Sequence, residues 1–219
     1  MRFQNRRHAG QLLAGLLSGY ADSTDVLVMA LPRGGVPVAF EIAKALHAPL
    51  DVCVVRKLGV PGHRELAMGA IATGGVLLLN DGVVRELGVP QRVIDSVARL
   101  ERNELERRER LYRGGRPVPD ISGLTVILVD DGLATGASML AAVQSLRRRN
   151  ARRLVVAVPV AAVDVCASFG NKVDDCVVLT EPLEFRAVGQ WYDDFSDTSD
   201  AEVCDLLEQA RIGMEAYPS

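Results

Sequence analysis

Long apolar runs are missing from this sequence of 219 residues. A helix needs about 20 apolar residues in succession to cross a bilayer, and the leucine-rich stretch at 12–17, which follows Arg6 and Arg7, is interrupted by Gly15. An amphipathic first helix explains these leucines as well as a signal peptide or a twin-arginine signal would, and we favour it. We therefore expect a cytoplasmic protein.

Metal-binding and redox motifs are missing as well. The four cysteines are scattered without a CxxC pair, and the three histidines show no metal-ligand spacing. We therefore expect no zinc or redox centre, and we expect the cysteines to be reduced and structural. The formal net charge of −3 gives no general affinity for nucleic acid, although a local basic face stays open.

The composition that is present is typical of a globular protein, with 48% hydrophobic and 24% charged residues. Short runs rich in valine and leucine alternate with helical patterns along the chain. This alternation predicts an α/β fold, an open, mostly parallel sheet with helices on both faces. The predicted strands are 26–31, 51–55, 125–129, 154–158 and 176–179, and the predicted helices are 36–46, 137–149 and 163–169.

An insertion separates the second predicted strand from the third. The segments 68–72 and 76–79 flank two glycines in the manner of a hairpin. A long, highly charged helix is predicted from 90 to about 112. We treat residues 1–219 as one domain with an insertion at about 59–115.

The strongest chemical signal is the segment 126–138, VILVDDGLATGAS. An apolar strand ends in Asp130 and Asp131, and a turn of small residues follows. The two carboxylates cannot bind a phosphate, because like charges repel, so they need sugar hydroxyls or a cation. An acidic strand end of the receiver-domain kind, or a simple calcium site, would explain the acids but not the turn.

The turn after the acids has the features of a phosphate cradle. Gly136 and Ala137 leave room for backbone N–H groups to approach an anion, and the helix that follows directs its positive dipole end there. Thr135 and Ser138 add hydroxyl donors. Acids and cradle together indicate a sugar phosphate as the ligand.

Two further segments follow the first and second strands, where an open parallel sheet gathers its ligands. In the segment 32–37, PRGGVP, the glycines would let backbone N–H groups reach an anion. A plain glycine turn stays open as an alternative. Arg56 and Lys57 follow the second strand, and two fixed cations suit a pyrophosphate. The residues 59–62, GVPG, suggest a mobile segment beyond them.

These motifs resemble those of a known family. The segment 126–138 resembles the signature of type I phosphoribosyltransferases, which is an apolar strand, two acids, three variable positions and then Thr-Gly-Ala-Ser or Thr-Gly-Ala-Thr. The segment 32–37 lies where that family has its pyrophosphate loop, and Arg56-Lys57 is similar to the adenine and orotate enzymes. With its ending at 191–195, WYDDF, the whole chain looks like a bacterial group of predicted phosphoribosyltransferases.

The resemblance implies binding of phosphoribosyl pyrophosphate together with Mg²⁺. It assigns the ribose hydroxyls to Asp130 and Asp131, which would hold Mg²⁺ indirectly, through those hydroxyls or through water. It implies catalytic roles for Arg56 and Lys57, and for Glu65 in a loop that closes over the substrate, although a surface charge without a role is an equal alternative for Glu65. The remaining substrate-binding residues that it implies are Arg33, Gly34, Gly35, Gly132, Leu133, Ala134, Thr135, Gly136, Ala137 and Ser138.

The implied reaction is displacement of pyrophosphate from ribose C1 by a nitrogen nucleophile, with a nucleobase as the expected acceptor. Ala134 stands where hypoxanthine and guanine enzymes of the family carry an aspartate, whereas adenine enzymes have alanine there. The general base is therefore unassigned.

In the family, a variable lobe called the hood selects the acceptor, and here it would comprise about 1–20 and 181–219. Phe185, Trp191 and Tyr192 could stack on a planar base or could pack the hood onto the core. The expected partners are phosphoribosyl pyrophosphate and a small acceptor, with a homodimer allowed and neither membrane nor nucleic acid expected. A non-catalytic regulator that senses phosphoribosyl pyrophosphate or a nucleotide on the same fold stays the alternative.

Overall fold

The structure is a computed structural model that describes residues 1–215, except for the side chains of residues 64, 65 and 215. The helices and strands in chain order are α1 (Arg6–Leu16), β1 (Val26–Ala30), α2 (Gly35–Leu46), β2 (Leu50–Val52), β3 (Val55–Val60), β4 (His63–Ala72), β5 (Val76–Leu79), α3 (Asp81–Glu86), α4 (Gln91–Arg113), β6 (Thr125–Val129), α5 (Ala137–Arg148), β7 (Arg153–Val160), α6 (Val165–Ser168), β8 (Asp175–Thr180) and α7 (Asp200–Glu215).

The main sheet is five-stranded and parallel, in the order β2-β1-β6-β7-β8. Every residue of β1 and β6 is buried, as expected for strands with helices on both faces. Alternate residues of β1 serve opposite faces, since Val28 packs among the residues of α1, α2, α4 and α7, while Met29 packs with α5. The predicted α/β class is therefore confirmed.

The predicted strand 51–55 is confirmed only in its first half, as β2, because the chain leaves the main sheet after Cys53, whose N–H donates to Ala30 O at 2.8 Å. Val54 donates its N–H to Thr73 Oγ1 at 2.8 Å, and Thr73 donates its own N–H to Val54 O at 2.9 Å. These bonds start a second, antiparallel sheet in the order β3-β4-β5. The predicted hairpin at 68–72 and 76–79 is confirmed as β4 and β5.

The segment 59–62, expected to be mobile, lies at the turn of a second hairpin of this small sheet. Strands β3 and β4 pair across it with irregular register at Leu58, Gly59 and Val60, and Gly62 has a φ of +83° at the turn. A positive φ is accessible to glycine without a steric penalty. The glycines of this segment therefore serve a turn and a bulged strand.

The predicted hood divides between two parts of the structure. Phe3 pairs with Tyr192 in a short parallel bridge, and both belong to an aromatic cluster that we define as Phe3, Phe185, Trp191, Tyr192 and Phe195. The last helix, α7, packs instead with α2 and α4 in the main core. Among the described residues, no helix combines the length and the apolar character needed to cross a membrane.

The expectation of reduced cysteines is wrong for two of the four. Cys166 in α6 and Cys176 in β8 form a disulfide, while Cys53 and Cys204 are free thiols. The tight connection from α6 to β8 brings the two Cα atoms within 6.0 Å, which is a normal separation for a disulfide.

Candidate active site

The loops after β1 and β6 meet at one edge of the main sheet. Ala30 and Val129, the last residues of the two strands, are partners in register, and Leu31 donates its N–H to Val129 O at 2.8 Å. Parallel strands present their carboxyl ends, and hence their ligand-binding loops, at the same edge. The segments 32–37 and 130–138 are therefore brought together, as the sequence predicted.

The acidic pair at the end of β6 is fixed by hydrogen bonds. Asp130 accepts the N–H of Asp131 on its Oδ1 at 2.9 Å. Asp131 accepts the Nε–H of Arg6 on its Oδ2 at 2.8 Å, and its backbone carbonyl accepts the hydroxyl of Tyr192 at 2.6 Å. Sequence reasoning missed both partners, since nothing local links positions 6 and 192 to position 131.

Burial raises the pKa of both carboxyl groups above the ordinary value. Repulsion by Asp131 raises the pKa of Asp130 further, whereas the guanidinium of Arg6 partly offsets the effect of burial at Asp131. Two shielded carboxylates side by side are costly unless a cation or hydrogen-bond donors approach them. The pair is thus suited to a ligand that brings hydroxyl groups and a cation.

The two glycines after Arg33 allow the chain to lie directly on the acidic pair. A Cβ atom at Gly34 would overlap Oδ2 of Asp131, and one at Gly35 would lie 2.7 Å from Val129 O and 2.9 Å from the Cα of Asp130. Neither distance is tolerated by real side chains. Close packing, rather than a positive φ, therefore accounts for glycine at both positions.

The cradle proposed from the sequence lies open beside the pair. Ala134, Thr135, Ala137 and Ser138 are exposed, and α5 begins directly after Gly136. The first N–H groups of a helix have no partners within the helix, and its dipole is positive at this end. An anion placed there would meet backbone donors and the hydroxyls of the two exposed polar residues.

The packing of this loop shows what the side-chain positions of three predicted substrate-binding residues contact. The side chain of Leu133 is buried, and its N–H and C=O bond to Val160 O and the N–H of Ala162, so Leu133 holds the loop to the end of β7. A Cβ at Gly132 would lie 2.6 Å from Val188. Gly136 has a φ of +69°, and a Cβ there would lie 2.9 Å from Val165, so its side-chain position faces α6 and not a ligand.

Arg56 and Lys57 point to opposite sides of β3, as strand alternation requires. The guanidinium of Arg56 is paired with Glu101 of α4, with Nη2 2.7 Å from Oε2. Lys57 lines a cleft of about 430 Å³ together with Ala137 and Ser138 at the start of α5. Lys57 therefore shares a cleft with the first residues of α5, whereas Arg56 is held by α4.

Two further predicted residues are Arg33 and Glu65, and among the contacts of the described side chains Arg33 makes no close contact with the acidic pair or the cradle. The side chain of Arg33 is 43% exposed, and its Nη1 lies 3.8 Å from Asp200 Oδ1 at the start of α7. The side chain of Glu65 lies outside the described residues. In the part of the chain that the structure describes, no three His, Cys, Asp or Glu side chains are grouped to hold a metal ion.

The aromatic residues considered for base stacking take different positions. Tyr192 is 2% exposed, with its ring centroid 5.3 Å from that of Phe3 and 5.1 Å from that of Phe195. It packs the hood, so it has no free face for an acceptor. Phe185 and Trp191 are only partly buried against the same cluster.

Comparison with known proteins assigns the family. A family model described as "Phosphoribosyl transferase domain" matches residues 62–189. Two Mycobacterium tuberculosis proteins, named "Putative phosphoribosyl transferase" Rv0571c (strain H37Rv) and MT0597 (strain CDC 1551), are each 48% identical over 208 residues. These matches cover 95% of this chain and 47% of either relative, so the chain spans about half the length of these curated relatives.

A crystal structure of the protein TT1426 from Thermus thermophilus is similar over the whole fold. It has a TM-score of 0.82 at 42% identity, covering 95% of this chain and 99% of that chain. The family model alone matches more than half of the 219 residues. The chain therefore belongs to the phosphoribosyltransferase family.

Proposed function

We propose that this chain is an enzyme that transfers a phosphoribosyl group from phosphoribosyl pyrophosphate, with Mg²⁺, to a nitrogen nucleophile, a nucleobase. The observation that carries the proposal is the contact of Gly34 with Asp131 beside the exposed cradle at 134–138. An anion-binding loop, a shielded acidic pair and a helix N-terminus at one sheet edge match the three parts of that substrate.

The parts of the substrate are assigned by their chemistry. The 5-phosphate would bind the backbone N–H groups at 134–138 and the hydroxyls of Thr135 and Ser138. The ribose hydroxyls would donate to the carboxylates of the acidic pair. The pyrophosphate would bind the backbone N–H of Gly34, with Arg33 and Lys57 supplying charge.

The acidic pair could hold Mg²⁺ only if the bound substrate supplied further ligands to the ion. Mg²⁺ is commonly bound through one or two carboxylates plus substrate phosphates, and Asp130 and Asp131 supply two carboxylates whose pKa is raised chiefly by burial. When bound, the ion would neutralise charge on the leaving pyrophosphate. Asp130 and Asp131 would hold it indirectly, through ribose hydroxyls or water.

The chain itself mainly positions the reactants and stabilises charge. The C1–O bond to pyrophosphate breaks as the acceptor nitrogen bonds to C1, and the electron pair leaves on the pyrophosphate oxygen. Lys57 and the N–H group of Gly34 would stabilise that growing charge, whereas the N–H of Gly35 already donates to Leu31 O at 3.1 Å. The hairpin of β3 and β4 would exclude water above the site. The general base that accepts the acceptor's proton stays unassigned.

One assay tests the proposal and separates an enzyme from a sensor. We expect purified protein to release pyrophosphate from phosphoribosyl pyrophosphate in the presence of Mg²⁺ and one member of a nucleobase panel. Binding without release for every base and amine would support the regulator, while no binding of phosphoribosyl pyrophosphate would refute both the enzyme and a regulator that senses this ligand. The cytoplasmic location and the homodimer expected from the sequence stay predictions.

A further inference from the structure

Arg6 is a cation that the proposed chemistry leaves without a role, although it touches the centre of the site. It comes from the first turn of α1, and its Nε lies 2.8 Å from Oδ2 of Asp131. Its side chain is 11% exposed and that of Asp131 is 15% exposed. The pair is thus shielded enough from water to matter more than an ordinary surface ion pair.

Two further contacts fix the plane of this guanidinium. Its Cζ lies 3.9 Å from the ring centroid of Phe195, and its Nη1 donates to the backbone carbonyl of Ser196 at 2.6 Å. Stacking on an aromatic face and planar, directed donors are properties of arginine that lysine lacks. The three contacts join α1, the end of β6 and the chain at Phe195 and Ser196, where the aromatic cluster ends.

The contact with Arg6 also gives the two carboxylate oxygens of Asp131 different surroundings. Oδ2 is enclosed between Arg6 and Gly34, because a Cβ built on Gly34 overlaps Oδ2 and lies 3.3 Å from Nε of Arg6. A carboxylate carries two accepting oxygens. With Oδ2 engaged by the protein, Oδ1 is the oxygen of Asp131 left to receive a ligand hydroxyl.

We propose that Arg6 is a positioning residue, which holds Asp131 through Oδ2 in the rotamer that presents Oδ1 to a ribose hydroxyl. Because Phe195 and Ser196 hold the same guanidinium, the orientation of Asp131 depends on the docking of this hood segment. The inference rests on the proposed function, since it assumes a ribose at the acidic pair.

Calorimetry with phosphoribosyl pyrophosphate and Mg²⁺ on four variants tests the role. We expect Arg6→Met to bind about tenfold to a hundredfold more weakly than wild type, the range for a lost hydrogen bond to a charged group. Arg6→Lys keeps the charge but not the planar donors, so its affinity should be intermediate. The double variant R6M/D131N should bind no more weakly than D131N, because Arg6 acts through Asp131.

Arg7→Met is the matched control, since it removes a charge from the same helical turn. The side chain of Arg7 is 48% exposed and pairs with Glu41 at 3.6 Å, so its removal should leave the affinity unchanged. Melting curves check that each variant is folded. Should R6M not fold, Arg6→Lys with D131N completes the same cycle.

Several results would overturn the role. Wild-type affinity in R6M, tighter binding in R6M, additive losses in the double variant, or an equal loss in R7M would each exclude positioning through Asp131. Wild-type protein that binds no phosphoribosyl pyrophosphate would instead refute the proposed function itself. The two failures are therefore distinguishable.

Discussion

Replacing Asp130 by asparagine should stabilise the ligand-free protein while weakening ligand binding. Burial and the adjacent Asp131 raise the pKa of this carboxyl well above its ordinary value of 3.8. A raised pKa in the folded state means that the ionised group opposes folding. Asparagine has nearly the same shape, and its Oδ1 can still accept the N–H of Asp131, so the change removes charge without removing the hydrogen bond.

The expected gain lies in the range of stabilising substitutions, about 0.5–2 kcal/mol. For a domain of this size it corresponds to a rise in melting temperature of roughly 1–8 °C. The sign follows from linkage. The wild-type penalty is absent well below pH 3.8, grows as the pH rises towards the raised pKa, and is complete above it. The difference between D130N and wild type should therefore be larger at pH 8 than at pH 4.

Melting curves at both pH values, without ligand, measure this effect. Asp205→Asn is the matched control, because Asp205 is exposed on α7 and its loss should change the melting temperature little. In calorimetry, D130N should bind phosphoribosyl pyrophosphate about tenfold to a hundredfold more weakly, as expected for a lost charged acceptor. A lower melting temperature for D130N at pH 8, or a difference independent of pH, would refute the reasoning.

Three further substitutions test the geometry of the site. Gly34→Ala should abolish ligand binding because its Cβ would overlap the acidic pair, whereas Gly15→Ala, which meets nothing within 4 Å, should bind normally in the same calorimetric assay. Lys57→Ala should lower kcat by on the order of a hundredfold, more than it weakens substrate binding, because its charge acts on the leaving group; a change in KM alone would contradict this. Arg56→Ala, which loses the pair with Glu101, should lower kcat by less than about tenfold and lower the free energy of unfolding by up to about 1 kcal/mol. If Lys57→Ala and Arg56→Ala lowered kcat equally, the conclusion that only Lys57 faces the substrate would be wrong.

The sequence predicted the main sheet well because buried parallel strands carry a simple signal. Thr125–Val129 is an unbroken apolar run after its first residue, and its observed bounds are those predicted. The turn of small residues after the acids, followed by α5, was equally readable, because its requirements are local. The end of β2 at Val52 carries no such signal, and its predicted bound was therefore wrong. The chain continues from there into β3, which pairs with β4.

The parts that sequence reasoning missed depend on contacts between distant positions. Arg6 and Asp131 are 125 residues apart, and the sequence offered Arg6 only as one of two arginines before a helix. The requirement for glycine at position 136 was predicted, but its cause is Val165 and the positive φ, which only the packing of α6 reveals. The opposite directions of Arg56 and Lys57 follow from alternation, once 55–60 is known to be a strand.

In the proposed function, the acidic pair and its loops bind phosphoribosyl pyrophosphate together with Mg²⁺. Calorimetric titration of the wild-type protein, with Mg²⁺ and again after a chelator, tests it most directly. We predict measurable binding with Mg²⁺, and a large loss of affinity both after chelation and in a protein with Asp130 and Asp131 changed to asparagine. Equal affinity under all three conditions, or no binding by the wild-type protein, would contradict the account.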